Sequence, residues 1–462
     1  MAQSALIAKF QEIAGAENVF SDEADLHAYS YDAAVLEQVR PLLVVRPASG
    51  QALGRLVGLC HQEGLPLTVR GSGTNLSGGT VPIPGGVVIL TRGLNRILEI
   101  NPADMYAVAQ PGVVTAHFAA AVEKKGLFYP PDPASLNVCT LGGNVAENSG
   151  GLRGLKYGVT RDYVMGLSFF DVEGSLIKTG SRTVKCATGY NLAGLMVGSE
   201  GTLGVFNEIT LKLIPPPKAQ KAMMAVFNSM EAASCAVAAV IAAHIVPVTL
   251  EFLDNFTIRT VEDYSKAGLP REAEALLLIE VDGHPAQVAE EAAQVEEICR
   301  QSGAGRVEIA QDMAHRDRLW AARRAAIPAL ARLRPTTMLE DVTVPRSQLP
   351  AMVAALRDIS QRHGLLIGTF GHAGDGNLHP TILCDRRDQA EWERVEKAVE
   401  ELFGKALDLG GTLSGEHGLG LSKVGFWEKE VGKATQVWSQ RLKKALDPKG
   451  ILNPGKAIGK AS

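Results

Sequence analysis

Cysteine is scarce in this chain, and no two cysteines are close in sequence. The 462 residues include six of them, at Cys60, Cys139, Cys186, Cys235, Cys299 and Cys384. Iron–sulfur clusters and structural zinc sites use closely spaced thiolates, and small disulfide-stapled folds need a dense set of paired cysteines. The spacing therefore argues against all three classes, and it is typical of a protein from a reducing compartment.

The sequence also lacks a long apolar run and an excess of one charge. Its most apolar segment, residues 232–250, is interrupted by His244 and Pro247, whereas a membrane-spanning helix needs about 20 consecutive apolar residues. Residues 1–15 carry charged side chains and no long apolar core, which predicts an amphipathic surface helix rather than a signal peptide. The 46 basic and 50 acidic residues give a net charge of −4, which is not typical of a nucleic-acid-binding protein. We therefore expect no membrane span and no nucleic-acid partner.

The length and the proline pattern predict several domains. A chain of 462 residues exceeds the size at which one hydrophobic core usually keeps growing, so two or three domains are expected. The triple proline at 215–217 can continue neither a helix nor a strand, so it marks a boundary. The pattern over 41–71 is typical of a β-α-β unit, and later strand-helix-strand passes with helices over 230–244 and 285–302 predict one antiparallel sheet. The predicted domains are 1–217, 218–410 and 411–462.

Glycine is abundant and falls in two clusters of the first half. The segment RGSGTNLSGG (70–79) has four glycines within ten residues, and TLGGNVAENSGGLRGLKYG (140–158) has six glycines and one acidic residue. Glycine permits close backbone approach, so such loops can point N–H groups at an anion such as a pyrophosphate, although either loop alone is equally typical of a plain surface loop. The P-loop motif and a GxGxxG that opens a helix are both absent, which disfavours a Rossmann-type dehydrogenase. Two such loops in one domain are suited to an extended dinucleotide-like ligand.

These motifs resemble a known family. The two glycine clusters and GSEGTLGV (198–205) resemble the FAD-binding domain of the vanillyl-alcohol oxidase and p-cresol methylhydroxylase superfamily. GHAGDGNLHP (371–380), SGEHGLG (414–420) and DPKGILNPGK (447–456) are similar to the C-terminal half of the FAD-linked D-2-hydroxy-acid dehydrogenases, which include D-lactate dehydrogenases and the large flavin subunit of glycolate oxidase. The resemblance implies an α+β fold with a two-subdomain FAD-binding domain, a ferredoxin-like antiparallel-sheet cap domain and a C-terminal helical segment.

The resemblance also implies which residues contact FAD. The implied contacts are Arg70, Gly71, Ser72, Gly73, Thr74, Asn75 and Gly78 around the pyrophosphate; Pro131, Gly142, Gly143, Asn148, Gly151, Tyr157 and Gly158 along the cofactor; Glu200, Gly201 and Val205 near the adenosine half; and Asn453 over the ring region. Some members of the superfamily tether the flavin to a histidine in the first glycine-rich loop. No histidine lies between His61 and His117, so we expect non-covalent FAD.

Two of only ten histidines lie in one glycine-rich turn. His372 and His379 are seven residues apart around the Gly-Asp-Gly sequence 374–376, which can fold both rings inward. Two imidazoles and a carboxylate suit Zn²⁺ and other divalent first-row metals, and Glu416, also among glycines, is the candidate third ligand. For a single histidine, a hydrogen-bonded structural role is the alternative interpretation. The resemblance implies a metal site here, because relatives hold a metal with two histidines and a glutamate of these motifs; we expect zinc rather than manganese or iron.

The family chemistry assigns roles to further residues. The resemblance implies that a metal-oriented small D-2-hydroxy acid is oxidised to the 2-oxo acid with hydride transfer to the flavin. His417 is the expected base, Asn377 is expected to hydrogen-bond the substrate, and Asp375 is expected to shape the turn. The segment LWAARRAAIPA resembles the family's carboxylate-binding segment and maps that role onto Arg323. Arg324 points about 100° away on the same helix, so we expect it to be a solvated charge.

Substrate size and competing functions can be weighed from the same residues. Relatives that use diacids carry a lysine just before the strand resembling DVTVP, whereas Leu339 and Glu340 stand there in this chain. D-lactate or glycolate is therefore favoured over D-2-hydroxyglutarate. A metal hydrolase would leave both glycine clusters unexplained. A flavin-bearing assembly subunit without activity is disfavoured by the intact set of His372, His379 and Arg323.

The electron acceptor is expected to be a separate molecule. Because the cysteines are dispersed, reduced FAD would pass electrons to an electron-transferring flavoprotein, an iron–sulfur subunit or a quinone. We expect the chain to be part of an oligomer or complex in the cytoplasm, and the sequence leaves open whether a partner attaches it to a membrane.

Overall fold

The computed structural model describes residues 2–459. Its strands are β1 (Val19–Phe20), β2 (Leu43–Val45), β3 (Leu67–Arg70), β4 (Val87–Leu90), β5 (Ile97–Asn101), β6 (Tyr106–Ala109), β7 (Val164–Phe170), β8 (Leu176–Gly180), β9 (Val205–Lys212), β10 (Ala219–Phe227), β11 (Thr249–Asp254), β12 (Ala275–Gly283), β13 (Ala304–Ile309), β14 (Thr336–Leu339), β15 (Val342–Thr343), β16 (Leu366–Gly371) and β17 (Asn377–Cys384). Its α-helices are α1 (Ala2–Ala14), α2 (Glu23–Ala28), α3 (Gly50–Glu63), α4 (Thr115–Glu123), α5 (Leu141–Glu147), α6 (Gly154–Tyr157), α7 (Leu192–Met196), α8 (Met230–Ala242), α9 (Asn255–Ser265), α10 (Pro285–Gln301), α11 (Met313–Arg324), α12 (Ala326–Ala331), α13 (Leu349–His363), α14 (Gln389–Asp408) and α15 (Trp427–Leu446).

The contacts divide the chain into two units. Unit 1 contains the residues up to Ser149, Val159–Pro216 and the stretch from Glu416 onward, and unit 2 contains Gly150–Gly158 and Pro217–Gly415. The main boundary falls inside the triple proline. Two details differ from the domains expected from the sequence. The excursion 150–158 belongs to unit 2 rather than to the first domain, and the returning C-terminal segment starts at Glu416 rather than at residue 411.

The first sheet of unit 1 has the strand order β1-β2-β4-β3. The predicted β-α-β unit exists, because β2 and β3 both run parallel to β4, but β4 lies between them rather than β2 next to β3. The helix α3 of this unit begins where the Ser49 side chain accepts from Ala52 N and ends at Gly64 in the left-handed conformation. Its buried face, with Leu53 and Leu56, shares a core with Phe10 of α1.

The second sheet of unit 1 is antiparallel throughout, in the order β5-β6-β9-β7-β8. Its core includes Phe118 of α4 and Tyr129, whose rings meet edge to face at 5.0 Å between centroids. The short helix α5 packs its Leu141 and Val145 into the same core. This packing places the second glycine cluster at the edge of the sheet's core, where its backbone is held in place.

Unit 2 contains one sheet in the order β13-β10-β12-β11-β16-β17-β14, with β15 paired to β17. Every pairing in it is antiparallel, so the predicted antiparallel sheet is confirmed. The predicted helices over 230–244 and 285–302 are α8 and α10, and α10 begins at Pro285, which suits the first helical position because its N–H would be unsatisfied there. The α+β class expected from the sequence is therefore correct. Within residues 2–459, no helix is both long and apolar enough to cross a membrane.

Candidate active site

Unit 1 contains a cleft with about 520 Å³ of unfilled space, lined by residues of both sheets. Its lining comprises Val69, Gly71, Gly79, Thr80, Thr91, Pro111, Gly142, Gly143, Ala146, Glu147, Glu200, Gly201, Gly204, Val205 and Phe206. Of the predicted cofactor residues, Gly71, Gly142, Gly143, Glu200, Gly201 and Val205 are among these. Residues such as Pro111 and Phe206 were not predicted, because nothing in a strand end or an apolar strand distinguishes a cleft wall from an ordinary core position.

The cleft wall requires glycine at two of the predicted positions. A Cβ atom at Gly142 would lie 2.6 Å from Pro111 Cβ, and one at Gly71 would lie 2.3 Å from Thr140 Oγ1. Carbon atoms do not approach this closely, so any side chain at either position would move the wall. Both clusters therefore present bare backbone, which is what an extended phosphate-bearing ligand needs.

The first glycine-rich loop is held by a buried carboxylate that the sequence did not reveal. Asp32 Oδ2 accepts hydrogen bonds from Asn75 Nδ2 at 2.9 Å and from Thr80 N at 3.1 Å. Arg70 is buried beside this loop and donates from Nη1 to Tyr31 O at 2.6 Å. The side chains of Arg70 and Asn75 thus fix the loop, while its backbone remains the part available to a ligand.

The other predicted residues of this loop are consistent with a fixed, curved backbone. Ser72 donates from Oγ to Val138 O at 2.6 Å, and Thr74 is half-buried. Gly73 and Gly78 have φ angles of +71° and +83°, which residues with a side chain rarely adopt.

Two C-terminal side chains join the cleft loops. Asn453 donates from Nδ2 to Gly79 O at 3.0 Å and to Glu200 O at 2.7 Å. Lys456 is fully buried and donates from Nζ to Gly79 O at 3.0 Å and to Val81 O. Both amide hydrogens of Asn453 are used within the protein, so its contribution to the cleft is to hold the two loops at a fixed separation.

Buried charges surround these loops. Burial, followed by the neighbouring Glu200, raises the pKa of Glu147 well above its usual value. Glu200 accepts from the backbone N–H groups of Leu419 and Gly420 at 2.8 and 2.7 Å, and burial raises its pKa despite these bonds. Burial also lowers the pKa of Lys456 to about 7, although nearby acids including Glu200 oppose the change. The cluster makes the cleft sensitive to pH.

We expect a Lys456→Met variant to change how stability depends on pH. The ammonium has a pKa of about 7 in the fold and 10.5 ordinarily. The unfolded chain therefore takes up the proton first as the pH falls, so the native protein loses stability relative to the variant between about pH 10 and pH 7. The difference should be constant below that window. Thermal unfolding of both FAD-free proteins at unit pH steps measures it, and a difference that stays flat from pH 10 to pH 7 would contradict the assignment.

The predicted histidine turn is a hairpin between β16 and β17. His372 directly follows β16, a single 3₁₀ turn spans Ala373–Asp375, and His379 lies on β17 opposite Phe370. The two imidazole centroids are 5.2 Å apart with the rings nearly perpendicular at 89°. Gly376 has φ +79°, and a Cβ there would lie 2.1 Å from Val344 O, so the hairpin requires glycine at this position.

Ligand atoms of His372, His379 and Glu416 all lie within 4.8 Å of one another. Both histidines are buried, and Glu416 follows directly on Gly415, the last residue of unit 2. Two imidazoles and one carboxylate at this separation fit a divalent first-row cation. His417 Nε2 lies 3.9 Å from Glu416 Oε1, which is beyond hydrogen-bond distance.

A glutamate that the sequence reasoning missed connects two predicted residues. Glu251 on β11 is fully buried; the distance from His372 Nδ1 to its Oε1 is 2.6 Å, and Arg323 donates from Nε to its Oε2 at 2.6 Å. Burial opposes ionisation, but Arg323 and His372 hold the pKa of Glu251 below its usual value. An acid in the middle of the apolar strand VTLEFLD is unusual, and this was the available signal.

Arg323 itself is buried near the end of α11. Its guanidinium carbon lies 4.7 Å from the centre of the Phe370 ring, so the cation stacks on an aromatic face. Arg324, the next residue, is exposed. The helix thus turns the two adjacent arginines to opposite environments.

Two buried oxygen atoms near Gly415 have unused hydrogen-bonding capacity. Asn377 Oδ1 and Thr343 Oγ1 have no hydrogen-bond partner in the described part of the chain. A Cβ at Gly415 would lie 2.3 Å from Thr343 Oγ1 and 2.7 Å from Asn377 Nδ2. Buried polar atoms are rarely left unpaired, so both are suited to a bound polar ligand, as predicted for Asn377 alone.

The excursion that contains α6 carries three of the predicted cofactor residues. Tyr157 donates from its hydroxyl to Asp282 Oδ2 at 2.8 Å, and Lys156 Nζ lies 2.6 Å from Asp282 Oδ1. Gly151, Tyr157 and Gly158 therefore belong to unit 2, whereas the other predicted cofactor residues belong to unit 1.

Two predicted residues of unit 1 lie beside the cleft-lining set. Asn148 ends α5 with φ +55° and accepts at Oδ1 from Arg161 N. Pro131 is buried. Neither lines the cleft in unit 1 described above.

Two family models match the chain. One, described as FAD binding domain, matches residues 41–180, and the other, described as FAD linked oxidases, C-terminal domain, matches residues 216–457. The first match covers both walls of the glycine-rich loop region, and the second covers the histidine hairpin. FAD is therefore the ligand expected for unit 1.

Curated relatives cover almost the whole chain. Glycolate oxidase subunit GlcD of Bacillus subtilis (strain 168) is 48% identical over 97% of this chain and 96% of its own length. Glycolate oxidase subunit GlcD of Escherichia coli (strain K12) is 39% identical over 98% of this chain and 91% of its own. D-lactate dehydrogenase of Anaerostipes hadrus is 34% identical over 98% of this chain and 96% of its own.

Solved structures share the fold. 4-ethylphenol oxidase from Gulosibacter chungangensis superposes with a TM-score of 0.82 at 21% identity, covering 99% of this chain and 98% of the other. p-Cresol methylhydroxylase superposes with a TM-score of 0.82 at 17% identity, covering 100% of this chain and 98% of the other. At such low identity the likeness shows the fold alone, and it confirms the fold type expected from the glycine clusters.

Proposed function

The chain belongs to the family of FAD-linked D-2-hydroxy-acid dehydrogenases, and from this premise we propose that it oxidises D-lactate or glycolate to the 2-oxo acid at a metal-assisted site. It is an FAD-dependent enzyme of that class. The observation that carries the finer proposal is the donor set of His372, His379 and Glu416, whose ligand atoms lie within 4.8 Å of one another.

The two cofactors supply different chemistry. When bound, FAD takes up two electrons with the C2 hydrogen, and a divalent cation polarises the substrate's oxygens. His372, His379 and Glu416 would hold the cation, and we propose zinc because three protein ligands with an open position are typical of catalytic zinc sites. The FAD is proposed to be non-covalent, since the loop 70–79 contains no histidine.

Arg323 is assigned to the substrate carboxylate. Its Nε is engaged by Glu251 and its face by Phe370, so the guanidinium is held in one plane with its terminal nitrogens left to bind. A fixed guanidinium matches a carboxylate through two parallel hydrogen bonds. This contact orients the substrate without taking part in the chemistry.

His417 is assigned to accept the hydroxyl proton as the C2 hydrogen leaves. Imidazole is the side chain most often used for proton transfer near neutral pH. Asn377 is proposed to hydrogen-bond the substrate, supported by its buried Oδ1, which has no partner within residues 2–459. Asp375, inside the 3₁₀ turn, is left with a structural role.

The proposed preference for monocarboxylates rests on the segment between β14 and β15. Leu339 ends β14, and Glu340 is buried immediately after it. A buried acid at this position repels a second substrate carboxylate instead of binding it. D-2-hydroxyglutarate is therefore the less favoured substrate.

We expect an Arg323→Lys variant to lose substrate affinity. Lysine keeps the charge but cannot form the bidentate contact or the planar stack on Phe370. A charge-assisted hydrogen bond contributes about 1.5–3 kcal/mol, so kcat/KM should fall on the order of 100-fold, mainly through KM. Steady-state kinetics with D-lactate measure this. Arg324→Lys, at the exposed neighbouring position, is the matched control and should behave like the native enzyme; equal losses in both variants would contradict the assignment.

The proposed reaction is tested by anaerobic flavin reduction. The purified holoenzyme is mixed with D-lactate, L-lactate, glycolate, D-2-hydroxybutyrate or D-2-hydroxyglutarate, and the flavin absorbance is followed, with metal analysis of the same sample. D-lactate or glycolate should bleach the flavin fastest, with one divalent metal per chain. Failure of all five substrates would overturn the proposed reaction, and fastest reduction by D-2-hydroxyglutarate would overturn the proposed substrate.

We further propose that the electrons leave to a separate acceptor in a cytoplasmic complex. Support comes from the six unpaired cysteines of the chain and from two relatives that are named subunits. An electron-transferring flavoprotein, an iron–sulfur subunit or a quinone would each serve as acceptor. Peroxide release by the isolated chain at the same rate as turnover with an artificial acceptor would overturn this proposal.

A further inference from the structure

Glu251 occupies a costly position for a charged side chain. It lies on β11, which pairs with β12 on one side and with β16 on the other. Every residue of β11 is buried, and Glu251 is 0% exposed. A buried carboxylate is tolerated only when its oxygens are paired with donors, so the partners of its two oxygens indicate why it is there.

The first oxygen meets His372. The Nδ1 atom of His372 lies 2.6 Å from Glu251 Oε1, and a carboxylate oxygen can only accept. The proton of the neutral imidazole is therefore on Nδ1, which leaves the lone pair on Nε2. Nε2 is then the atom that can bind a cation, and the carboxylate fixes the orientation of the ring.

The second oxygen meets Arg323. Arg323 donates from Nε to Glu251 Oε2 at 2.6 Å, and its guanidinium stacks on Phe370. Nε lies on the stem side of the guanidinium, so this bond leaves the outer edge of the group to a ligand. One buried side chain thus holds both a cation ligand and the group assigned to the substrate carboxylate.

From these contacts we propose that Glu251 is a positioning residue, which sets the His372 ring for the metal and the Arg323 guanidinium for the substrate. The role rests on the function proposed above, but it concerns residues of unit 2 whose contacts are described. Loss of the carboxylate would weaken metal binding even where no substrate is present.

Glu280 provides a matched control in the same sheet. It lies on β12 opposite Thr249 of β11 and is also buried. It pairs with Arg316 at 2.8 and 3.0 Å and accepts from Trp320 Nε1 at 2.6 Å. Glu280 therefore shares the strand environment, burial and arginine partner of Glu251, but none of these contacts involves a histidine.

The test compares zinc binding by Glu251→Gln and Glu280→Gln. Metal-stripped holoproteins are titrated with Zn²⁺ against a chromophoric chelator, without substrate. A glutamine can accept from only one of the two donors and turns its NH₂ group toward the other. We expect Glu251→Gln to bind Zn²⁺ on the order of 10- to 100-fold more weakly than the native protein. Glu280→Gln should lower the melting temperature and leave zinc affinity unchanged.

Native zinc affinity in Glu251→Gln, or equal weakening in both variants, would overturn the positioning role. If Glu251→Gln does not accumulate, Glu251→Asp replaces it, since it keeps the charge but shortens the reach to His372; unchanged zinc affinity in that variant would likewise overturn the role. The failure of the metal proposal is seen separately, because the native protein itself would then bind no zinc and the positioning role would fall with it. Failure of the hydroxy-acid reaction is seen only in the flavin assay and leaves this measurement intact.

Discussion

A His372→Ala variant is expected to keep its FAD and to lose reduction of the flavin by D-lactate and glycolate. His372 lies in the hairpin of unit 2 and contributes nothing to the cleft lining of unit 1. Its ring is one of three groups whose ligand atoms lie within 4.8 Å. Lewis-acid assistance is worth several kcal/mol of barrier, so the anaerobic reduction rate should fall at least on the order of 1,000-fold. Stopped-flow absorbance gives the rate, and metal analysis should give a stoichiometry near zero.

His363→Ala is the control for this variant. His363 ends α13 and its Nε2 lies 2.9 Å from Glu401, so its loss should alter neither metal content nor flavin reduction. Glu416→Ala should reproduce the loss seen with His372→Ala, because it removes the carboxylate ligand. Full turnover by His372→Ala in the absence of metal would show that the assignment of the hairpin is wrong.

A Gly142→Ala variant is expected to bind FAD poorly. The added Cβ would lie 2.6 Å from Pro111 Cβ and 2.9 Å from Pro111 O, and the backbone oxygen cannot rotate away as a side chain would. Gly142 and Pro111 both line the cleft, so the displacement changes its wall. Overpacking costs about 1–3 kcal/mol, and the FAD dissociation constant should rise on the order of 10- to 100-fold. Titration of the apoprotein with FAD, followed by flavin fluorescence, measures the change.

Gly425→Ala is the control in the same unit. A Cβ at Gly425 meets nothing within 4 Å, so its FAD affinity should equal that of the native protein. Melting temperatures of both apoproteins separate a local change of the cleft from a general loss of folding. Native FAD affinity in Gly142→Ala would mean that the cleft of unit 1 is not where the glycine clusters meet the cofactor.

Local pattern was sufficient for several features. The triple proline at 215–217 predicted the main boundary, which lies between Pro216 and Pro217, because proline interrupts regular structure wherever it occurs. Helices α8 and α10 end within two residues of their predicted limits. The histidine hairpin followed from glycines at 374 and 376, whose conformational freedom is a local property.

Other features depended on partners distant in the chain. The sequence could not place β4 between β2 and β3, because parallel neighbours are chosen by packing rather than by the connecting segment. Nor did it identify Asp32 as the group that holds Asn75 and Thr80. These are contacts between segments that no local periodicity relates.

By itself, the sequence determined the cofactor class, the α+β organisation and the residues of the histidine hairpin, because these depend on glycine, proline and histidine placed at short spacing. Only the tertiary structure decided that Glu251 on β11 serves both His372 and Arg323. Its two partners are 121 and 72 residues away along the chain. A buried carboxylate acquires its role from the donors that folding brings to it, and those donors come from elements that are adjacent only in the folded sheet.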